Sequence, residues 1–461
     1  MSAPTDHPVE LSAERQRERR GWYFYDWANS GYVTTVGTVL FAPYLTSVAE
    51  NAACGRTGTA ENPCRTNLDV LGIGVSPGSL AFYVVTAATL MSALLLPVVG
   101  AIADRSPRKK AWMAGFAWVG ATAACCMVFV ADGRWALGAL LLFIGHICLG
   151  SSLVVYDAIM CEIATPDERD AVSSRGWAFG YLGGFILLSL NLGLVLGHEA
   201  FGISEGTAVR LSLLSAGAWW GLFTIIPFAR IRNRPPVAAE PVAGGNMVRQ
   251  SFSQLARTLR HAKAYPMTLL FLVAYLFFND GIQTVIAVSS TYGEKQLGFE
   301  TEVLIATILL VQLVAFFGAL LFGRAAARFG SQRTILAGLL IWIAIVVAGF
   351  MLPAKQIAPF LAMGVSIGVV LGGTQALSRS LFSQLIPRGR EAEYFSLYQA
   401  GERGTSWLGT LVFGLVHQIT GSYRPAIIAL GAFFIIGFLL LIRVDVRRGI
   451  TDAGNRQPSV V

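Results

Sequence analysis

Long apolar runs alternate with short polar connections along most of the chain. Each run is close to the roughly 20 residues that a helix needs to cross the ~30 Å hydrocarbon layer of a membrane. An even number of crossings brings both ends of the chain to the same side. The pattern predicts twelve membrane-crossing helices, at residues 22–48, 80–103, 110–131, 135–160, 176–198, 208–230, 266–291, 302–323, 333–352, 357–384, 396–420 and 425–443.

Two of the polar connections resemble each other. Residues 100–110 read GAIADRSPRKK, and residues 323–333 read GRAAARFGSQR. Their basic residues, including Lys109, place both loops on the cytoplasmic side, because positive charge in short loops marks that side. The recurrence indicates that the chain consists of two related halves. Without gaps, the first loop aligns its Gly100, Asp104, Arg105 and Lys110 with Gly323, Ala327, Arg328 and Arg333 of the second.

The pattern therefore predicts an all-α integral membrane protein with two pseudo-symmetric six-helix bundles. We expect both chain ends to be cytoplasmic, since Arg443, Arg447 and Arg448 follow the last crossing. The predicted parts are a cytoplasmic N-terminal tail at 1–21, an N-terminal bundle at 22–230, a cytoplasmic linker with a short basic helix at 231–265, a C-terminal bundle at 266–443 and a cytoplasmic tail at 444–461.

The composition supports a membrane protein and argues against a nucleic-acid partner. Of the 461 residues, 54% are hydrophobic and only 13% are charged, whereas soluble domains have about 25% charged residues. The net charge of +8 would suit a polyanion, but most Lys and Arg residues fall in the predicted cytoplasmic segments. Their placement is a topology signal. The lipid bilayer is therefore the expected surrounding.

The chain lacks the short motifs of several enzymes and pumps. It contains no HExxH, paired CxxC or nucleotide-binding P-loop sequence. It therefore offers no motif for zinc-dependent hydrolysis or ATP-driven transport. We expect a protein that is not an enzyme, that binds no metal or cofactor and that acts as a monomer.

Two cysteines, Cys54 and Cys64, share the long loop after the first crossing, with nine residues between them. If this loop faces an oxidising space, the pair is placed for a disulfide that closes a short loop. Two free thiols are the alternative. The other four cysteines lie in or beside apolar runs, where cysteine packs as a small apolar residue.

Polar and charged side chains inside the predicted crossings are candidate functional residues, because a charge near the bilayer centre is costly unless it faces protein or water. Asp280 lies near the middle of the seventh crossing, where an acid is hardest to explain structurally. Asp26 lies nearer the cytoplasmic end of the first crossing and could instead pair with a nearby base. The candidates for substrate binding and translocation are Asp26, Asn29, Asp157, Asn279, Asp280, Gln283, Gln375 and Arg379.

The charged residues of the last crossings leave several pairings open. Arg379 lies near the cytoplasmic end of the tenth crossing, so its guanidinium could reach the membrane surface. It could equally pair with Asp157, Glu402 or Asp280. Glu402 and Arg403 are adjacent and point in different directions on a helix, so we expect them to have separate partners.

The loop at residues 100–110 resembles the loop signature of the major facilitator superfamily, with a glycine, an acid four residues later, a base and a basic pair. It departs from that signature at Pro107, where a second glycine is usual. The second loop keeps Gly330 but lacks the acid. Further stretches resemble the autophagy-related vacuole-effluxer-like branch, namely YDWANS at 25–30, SRG at 174–176, GYLG at 180–183, NDG at 279–281 and GTQALSRS at 373–380.

This resemblance implies the major facilitator fold and secondary transport by alternating access around a cavity at the membrane midplane. It implies that Asp104 closes the cytoplasmic side by contacting a neighbouring helix terminus and a basic group. For fungal relatives it implies release of amino acids from the vacuole, so amino acids are a candidate substrate. A proton carried by Asp280 is the candidate driving ion, and the cell (inner) membrane is the expected location.

Two other functions stay open at this point. The chain could export drugs or other organic solutes, or it could be a receptor or scaffold that kept the fold without transport. Asp280 and Arg379 argue against a scaffold, in which apolar residues could replace both at a gain in stability.

Overall fold

The computed structural model describes residues 10–58, 64–70, 72–236, 264–404 and 406–461. Within these ranges, eleven helices are long and apolar enough to cross a membrane. The eleventh predicted crossing is not among them, because residue 405 lies outside the described residues and the crossing is described as two shorter stretches, Glu391–Gly404 and Ser406–Thr420. With this pair, the described chain has the twelve crossings that the apolar runs predict.

The first and last crossings are each built from more than one helix. The first combines Glu10–Tyr32 and Phe41–Cys54 through a π-helical stretch, Val33–Leu40, and the twelfth combines Tyr423–Ala429 with Gly431–Ile442. The second to tenth crossings are Leu80–Arg105, Lys109–Cys126, Trp135–Ile163, Arg169–Leu196, Glu205–Arg230, Pro266–Thr291, Thr301–Phe329, Ser331–Met351 and Ile357–Leu385.

Short elements fill the connections. Two antiparallel strands, Leu68–Val70 and Ile73–Val75, follow the first crossing. In the same connection, Cys54 is bonded to Cys64. Other short helices are Pro77–Ser79, Met127–Phe129, Pro166–Glu168, Tyr292–Gln296 and Val446–Asp452.

Large apolar side chains face outward from the crossings, and polar groups are buried between them. Phe82, Leu222 and Phe317 are 71%, 65% and 60% exposed. Lipid tails accept such side chains as readily as a protein interior does. Helices in lipid therefore associate through close packing and polar pairing. The few charged groups inside the molecule are candidates for such pairing.

Strips of glycine bring helices of one bundle close together. A Cβ at Gly180 of the fifth crossing would lie 2.7 Å from Ser30 Oγ in the first. A Cβ at Gly372 of the tenth crossing would lie 2.3 Å from the carbonyl oxygen of Ala315 in the eighth. Small residues at every fourth position form a surface along which helix backbones can approach. The glycine spacing thus serves close packing within each half.

Both described ends of the chain lie on one side of the molecule, which we call the terminal face. Near the N-terminus, Arg19 Nε donates to the carbonyl oxygen of Ile163, at the end of the fourth crossing, over 3.0 Å. Near the C-terminus, the main-chain N–H of Ser459 donates to Asp167 in the connection that follows. The disulfide loop lies at the opposite end of the first crossing.

Within the described residues, parts of both predicted tails are structured. The first helix begins at Glu10, inside the predicted N-terminal tail. In the predicted C-terminal tail, Asn455 Nδ2 donates to the carbonyl oxygens of Gln384 and Ile386 over 2.9 and 2.7 Å. A helix end leaves its last carbonyls without partners in the helix, which explains this docking. The predicted basic helix at 250–263 lies outside the described residues.

Candidate functional site

A buried ion cluster joins the two bundles through Arg379 of the tenth crossing. Its Nη2 atom donates to Asp26 in the first crossing over 3.1 Å, and its Nη1 atom donates to Asp157 in the fourth over 3.3 Å. In the fifth crossing, Ser173 Oγ accepts from Arg379 Nε over 3.0 Å. The three charged residues are at most 6% exposed. One guanidinium of the C-terminal bundle thus binds three helices of the N-terminal bundle.

Three aromatic rings enclose the same guanidinium. Its carbon atom lies 4.9 Å from the ring centre of Trp22 and 5.4 Å from those of Tyr156 and Trp177. Trp22 and Tyr156 are stacked with their ring centres 4.2 Å apart. Ring faces attract cations, and a planar guanidinium combines stacking with forked hydrogen bonds in a way that an ammonium group cannot. The surroundings of residue 379 therefore suit an arginine side chain and not a lysine.

These contacts decide among the pairings that the sequence leaves open. Arg379 does not reach the membrane surface but pairs with Asp157 and with Asp26, which lies 353 positions earlier. The second oxygen of Asp157 accepts from Gln399 Nε2 in the eleventh crossing over 2.9 Å. Asp157 therefore contacts the C-terminal bundle through two side chains.

Gly176 leaves the space that the cluster occupies. A Cβ at Gly176 would lie 2.6 Å from Asp26 Oδ2, 2.7 Å from the Trp22 ring and 3.1 Å from Arg379 Nη2. We expect Gly176→Ala to displace these groups and to lower the free energy of unfolding by about 1–3 kcal/mol, the usual cost of overpacking a filled interior. Thermal unfolding of the purified protein in detergent measures this loss.

Gly193 provides the matched control for this substitution. It lies in the same helix, and a Cβ at this position would meet nothing within 4 Å. Gly193→Ala should leave the unfolding temperature unchanged or slightly raised, because alanine loses less backbone entropy on folding than glycine. Equal unfolding temperatures for the two variants would contradict the prediction.

A second group of buried polar residues lies inside the C-terminal bundle. Gln375 Nε2 donates to Asn279 Oδ1 over 2.8 Å, and the Tyr275 hydroxyl lies 3.5 Å from Gln375 Oε1. The Tyr275 ring stacks on that of Tyr398 in the eleventh crossing, with the ring centres 4.1 Å apart. These side chains come from the seventh, tenth and eleventh crossings. They hold these three helices of the bundle together.

Asp280 is buried apart from the arginine cluster. It is 1% exposed, and its Oδ2 atom accepts from the main-chain N–H of Gly409 in the eleventh crossing over 2.8 Å. Among the described residues, its Oδ1 atom has no hydrogen-bond partner, and neither has Thr284 Oγ1 or Asn279 Nδ2. An unpartnered buried oxygen is costly. This oxygen is therefore available to a proton, a cation or a polar group of a substrate.

Three further residues predicted from sequence lie outside both groups. Asn29 Nδ2 donates to the carbonyl oxygen of Tyr25 within its own helix over 2.7 Å. Gln283 is half-buried and, in the part of the chain that is described, makes no hydrogen bond to Asp280. The side chain of Arg403 lies outside the described residues, so separate partners for Glu402 and Arg403 stay a prediction.

The loop after the second crossing contacts the opposite bundle at the terminal face. Asp104 accepts from the main-chain N–H groups of Ala392 and Glu393, at the start of the eleventh crossing, over 3.0 and 2.8 Å. Lys109 forms ion pairs with Asp104 over 3.4 Å and with Glu162 over 2.8 Å. The free N–H groups and partial positive charge of a helix N-terminus suit a carboxylate. Asp104 thus has both a helix terminus and a base as partners.

The other loop residues divide into packed and exposed ones. A Cβ at Gly100 would lie 2.4 Å from the carbonyl oxygen of Ala392, so only glycine allows this approach. Lys110 Nζ donates to the carbonyl oxygen of Ile231 over 2.8 Å. The exposed loop residues are Arg105, Arg328 and Arg333.

Sequence reasoning missed Ser173, Gln399 and the aromatic residues around Arg379. Ser173 lies one helical turn before Gly176, at the start of the glycine strip. A small polar residue beside such a strip is a signal that could have identified it. Gln399 has no comparable signal, because its partner Asp157 belongs to the other bundle.

The chain resembles transporters over almost its whole length. The profile of the family described as "Vacuole effluxer Atg22 like" matches residues 14–454. The MFS-type transporter YxiO of Bacillus subtilis is 30% identical over 445 residues, which cover 96% of this chain and 97% of that protein. Autophagy-related protein 22-2 of Emericella nidulans is 26% identical over 551 residues, which cover 96% and 93% of the two chains.

Solved structures of transporters share the fold. A bacterial homologue of the iron transporter ferroportin, in an outward-facing state, matches with a TM-score of 0.65 at 15% identity, over 93% of this chain and 98% of that one. The major facilitator superfamily transporter FucP, in the outward conformation, matches with a TM-score of 0.64 at 13% identity, over 94% and 98%. The predicted major facilitator fold with two six-helix bundles is confirmed.

Proposed function

Since the chain belongs to the Atg22-like vacuole effluxer family and is an MFS-type transporter, we propose that it moves a small organic solute across the cell membrane by alternating access. The observation that supports this most is the position of Arg379, which binds two acids of the opposite bundle. In alternating access the two bundles rock about a central site. The contacts of Arg379 would then form in one state and break in the other.

The energetics of buried ion pairs support a switching role for this cluster. Taking charges out of water costs free energy, and well-packed apolar residues at such positions are often as stabilising or more so. Arg379, Asp26 and Asp157 therefore add little that an apolar interior could not supply. They form a contact that exists only when the two bundles have one relative position. A transporter has to change that relative position during transport.

We propose amino acids as the substrate class. The family is described as a vacuole effluxer family, and its fungal members are named autophagy-related proteins. An amino acid presents an ammonium and a carboxylate group. Asp280 Oδ1 and Asn279 Nδ2 are buried neighbours without hydrogen-bond partners among the described residues. The Asp280 carboxylate can bind the ammonium group of the amino acid, and the Asn279 amide can donate to the carboxylate of the amino acid, through charge-assisted hydrogen bonds.

A substrate screen followed by a transport assay tests this proposal. Thermal shifts of the purified protein with single amino acids and with organic cations identify binders, and counterflow of labelled binders in liposomes measures transport. Amino-acid counterflow is the expected result. Counterflow of drug-like solutes alone would favour the exporter. Binding without any counterflow would favour a receptor and contradict transport.

We propose that the terminal face is cytoplasmic, because its short loops carry the positive charge. In a variant without the free cysteines, Ser106→Cys and Arg390→Cys should react with an impermeant thiol reagent only from inside the cell. Thr66→Cys should react only from outside. Labelling of Ser106→Cys from outside would overturn this orientation. The cysteines to be replaced are Cys125, Cys126, Cys148 and Cys161.

We also propose that a proton drives transport and that Asp280 carries it. A carboxylate can bind and release a proton, and its Oδ1 atom has no donor among the described residues. Gly409, its partner through Oδ2, lies on the eleventh crossing, so a change in the protonation of Asp280 would alter a contact between two helices of the C-terminal bundle.

A further inference from the structure

The two loops that repeat in the sequence contact the opposite bundle in the same way. Gly100 packs against the start of the eleventh crossing. A Cβ added at Gly100 would lie 2.4 Å from the carbonyl oxygen of Ala392. Gly323, which aligns with Gly100, packs against the fifth crossing. A Cβ added at Gly323 would lie 2.7 Å from Ser174 Oγ. Each bundle therefore places one loop glycine against a helix of the other bundle near the terminal face.

The two contacts differ in the acid that accompanies the glycine. Asp104 follows Gly100 by four residues and accepts two main-chain hydrogen bonds from the eleventh crossing. Ala327 stands at the aligned position of the second loop, is exposed and has no side-chain oxygen. The second loop therefore cannot hold the terminal face closed with the contact that the first loop makes.

An acid from the opposite side takes part in the second contact. Asp170 lies in the first turn of the fifth crossing, in the N-terminal bundle. Its Oδ2 atom accepts from Ser331 Oγ over 2.7 Å, and its Oδ1 atom accepts from Ser380 Oγ over 2.6 Å. Ser331 is the first residue of the ninth crossing and belongs to the second repeated stretch, at 323–333. The carboxylate thus lies at two helix N-termini, whose partial positive charge stabilises it.

Neighbours of Asp170 bind the same helix of the C-terminal bundle. Arg169 Nη1 donates to the carbonyl oxygen of Ser383 over 2.7 Å. Ser173 Oγ donates to the carbonyl oxygen of Ala376 over 2.7 Å. Together with Asp170, these residues attach the first turns of the fifth crossing to the tenth crossing. Asp170 is the one acid among these three residues, and its carboxylate contacts the other bundle.

We propose that Asp170 is the second closing residue of the terminal face, equivalent to Asp104, with the difference that Asp104 lies in the last turn of the second crossing and Asp170 in the first turn of the fifth. The proposal rests on transport by alternating access. Both acids accept hydrogen bonds from the C-terminal bundle, and both sets of bonds have to break when the terminal face opens. An acid at position 170 removes the need for one at position 327. Asp170 is a positioning residue that sets the population of the closed state.

The closed population can be measured without a substrate. Spin labels attached to Arg108→Cys and Arg333→Cys, which are exposed positions at the terminal face in opposite bundles, report their separation by electron paramagnetic resonance. We expect Asp170→Ala to raise the ratio of open to closed molecules roughly tenfold or more, because hydrogen bonds to a charged acceptor are among the stronger ones. Asp104→Asn should shift the distances in the same direction.

Two further variants make the measurement specific. The double variant Ser331→Ala with Ser380→Ala removes both donors without touching the acid, and it should reproduce the shift even if Asp170→Ala folds poorly. Asp452→Ala is the control, since this acid lies in the C-terminal helix and pairs with Arg448 of the same helix over 3.7 Å. It should leave the distances unchanged.

The outcomes separate this proposal from the transport function. A shift with Asp104→Asn but none with Asp170→Ala or the double serine variant would overturn the role of Asp170 and leave alternating access standing. Unchanged distances in every variant would overturn both. Shifted distances in a protein that shows no counterflow of any solute would uphold the role of Asp170 and overturn transport.

Discussion

Replacing Arg379 with glutamine should strongly destabilise the protein and stop transport. The substitution leaves Asp26 and Asp157, which are 6% and 1% exposed, without the cation between them. Removing one partner of a buried ion pair costs about 3–5 kcal/mol, because the remaining charge is left uncompensated in the interior. One cation serves two acids here, so we expect a loss near the upper end of that range in thermal unfolding.

Further variants separate the charge of Arg379 from its geometry. Arg379→Lys keeps the charge but loses the fork that reaches both acids and Ser173, so an intermediate loss is expected. Adding Asp157→Asn to Arg379→Gln removes one uncompensated charge and should recover part of the stability. The control is Arg324→Gln, at an exposed position of the eighth crossing. A loss for Arg379→Gln no larger than for this control would contradict the prediction.

Replacing Asp280 with asparagine should abolish uptake driven by a pH gradient and preserve substrate exchange. Asparagine keeps the size of the side chain, and its amide oxygen can still accept a hydrogen bond, either from the main-chain N–H of Gly409 or from a substrate ammonium group. It cannot bind and release a proton. Exchange needs no net proton movement, whereas accumulation against a gradient does. Uptake and counterflow in liposomes, each measured across a range of pH, test the two activities separately.

Other results for Asp280→Asn would assign other roles. If uptake and exchange fall together, the negative charge of Asp280 is needed to bind the substrate. If the variant is poorly expressed or unstable in detergent, the residue is structural. Asp132→Asn, an exposed loop position, is the control and should keep both activities. Wild-type rates for Asp280→Asn in both assays would contradict all three roles.

The apolar pattern and the repeated loops are enough to predict the fold class and the division into two halves. In lipid, a single spanning segment has to satisfy its own backbone hydrogen bonds, so an apolar run of sufficient length predicts a helix without any need for tertiary information. The repeated loops at 100–110 and 323–333 indicate that the two halves are related to each other.

The tertiary structure decided which charged groups meet. Asp26 and Arg379 are 353 positions apart and in different bundles, and the loop that lacks an acid does not indicate that Asp170 supplies one. The period of a helix predicts only the neighbours three or four residues away. Contacts between bundles depend on how whole helices are placed against one another, which is also what has to change when one face of the transporter opens.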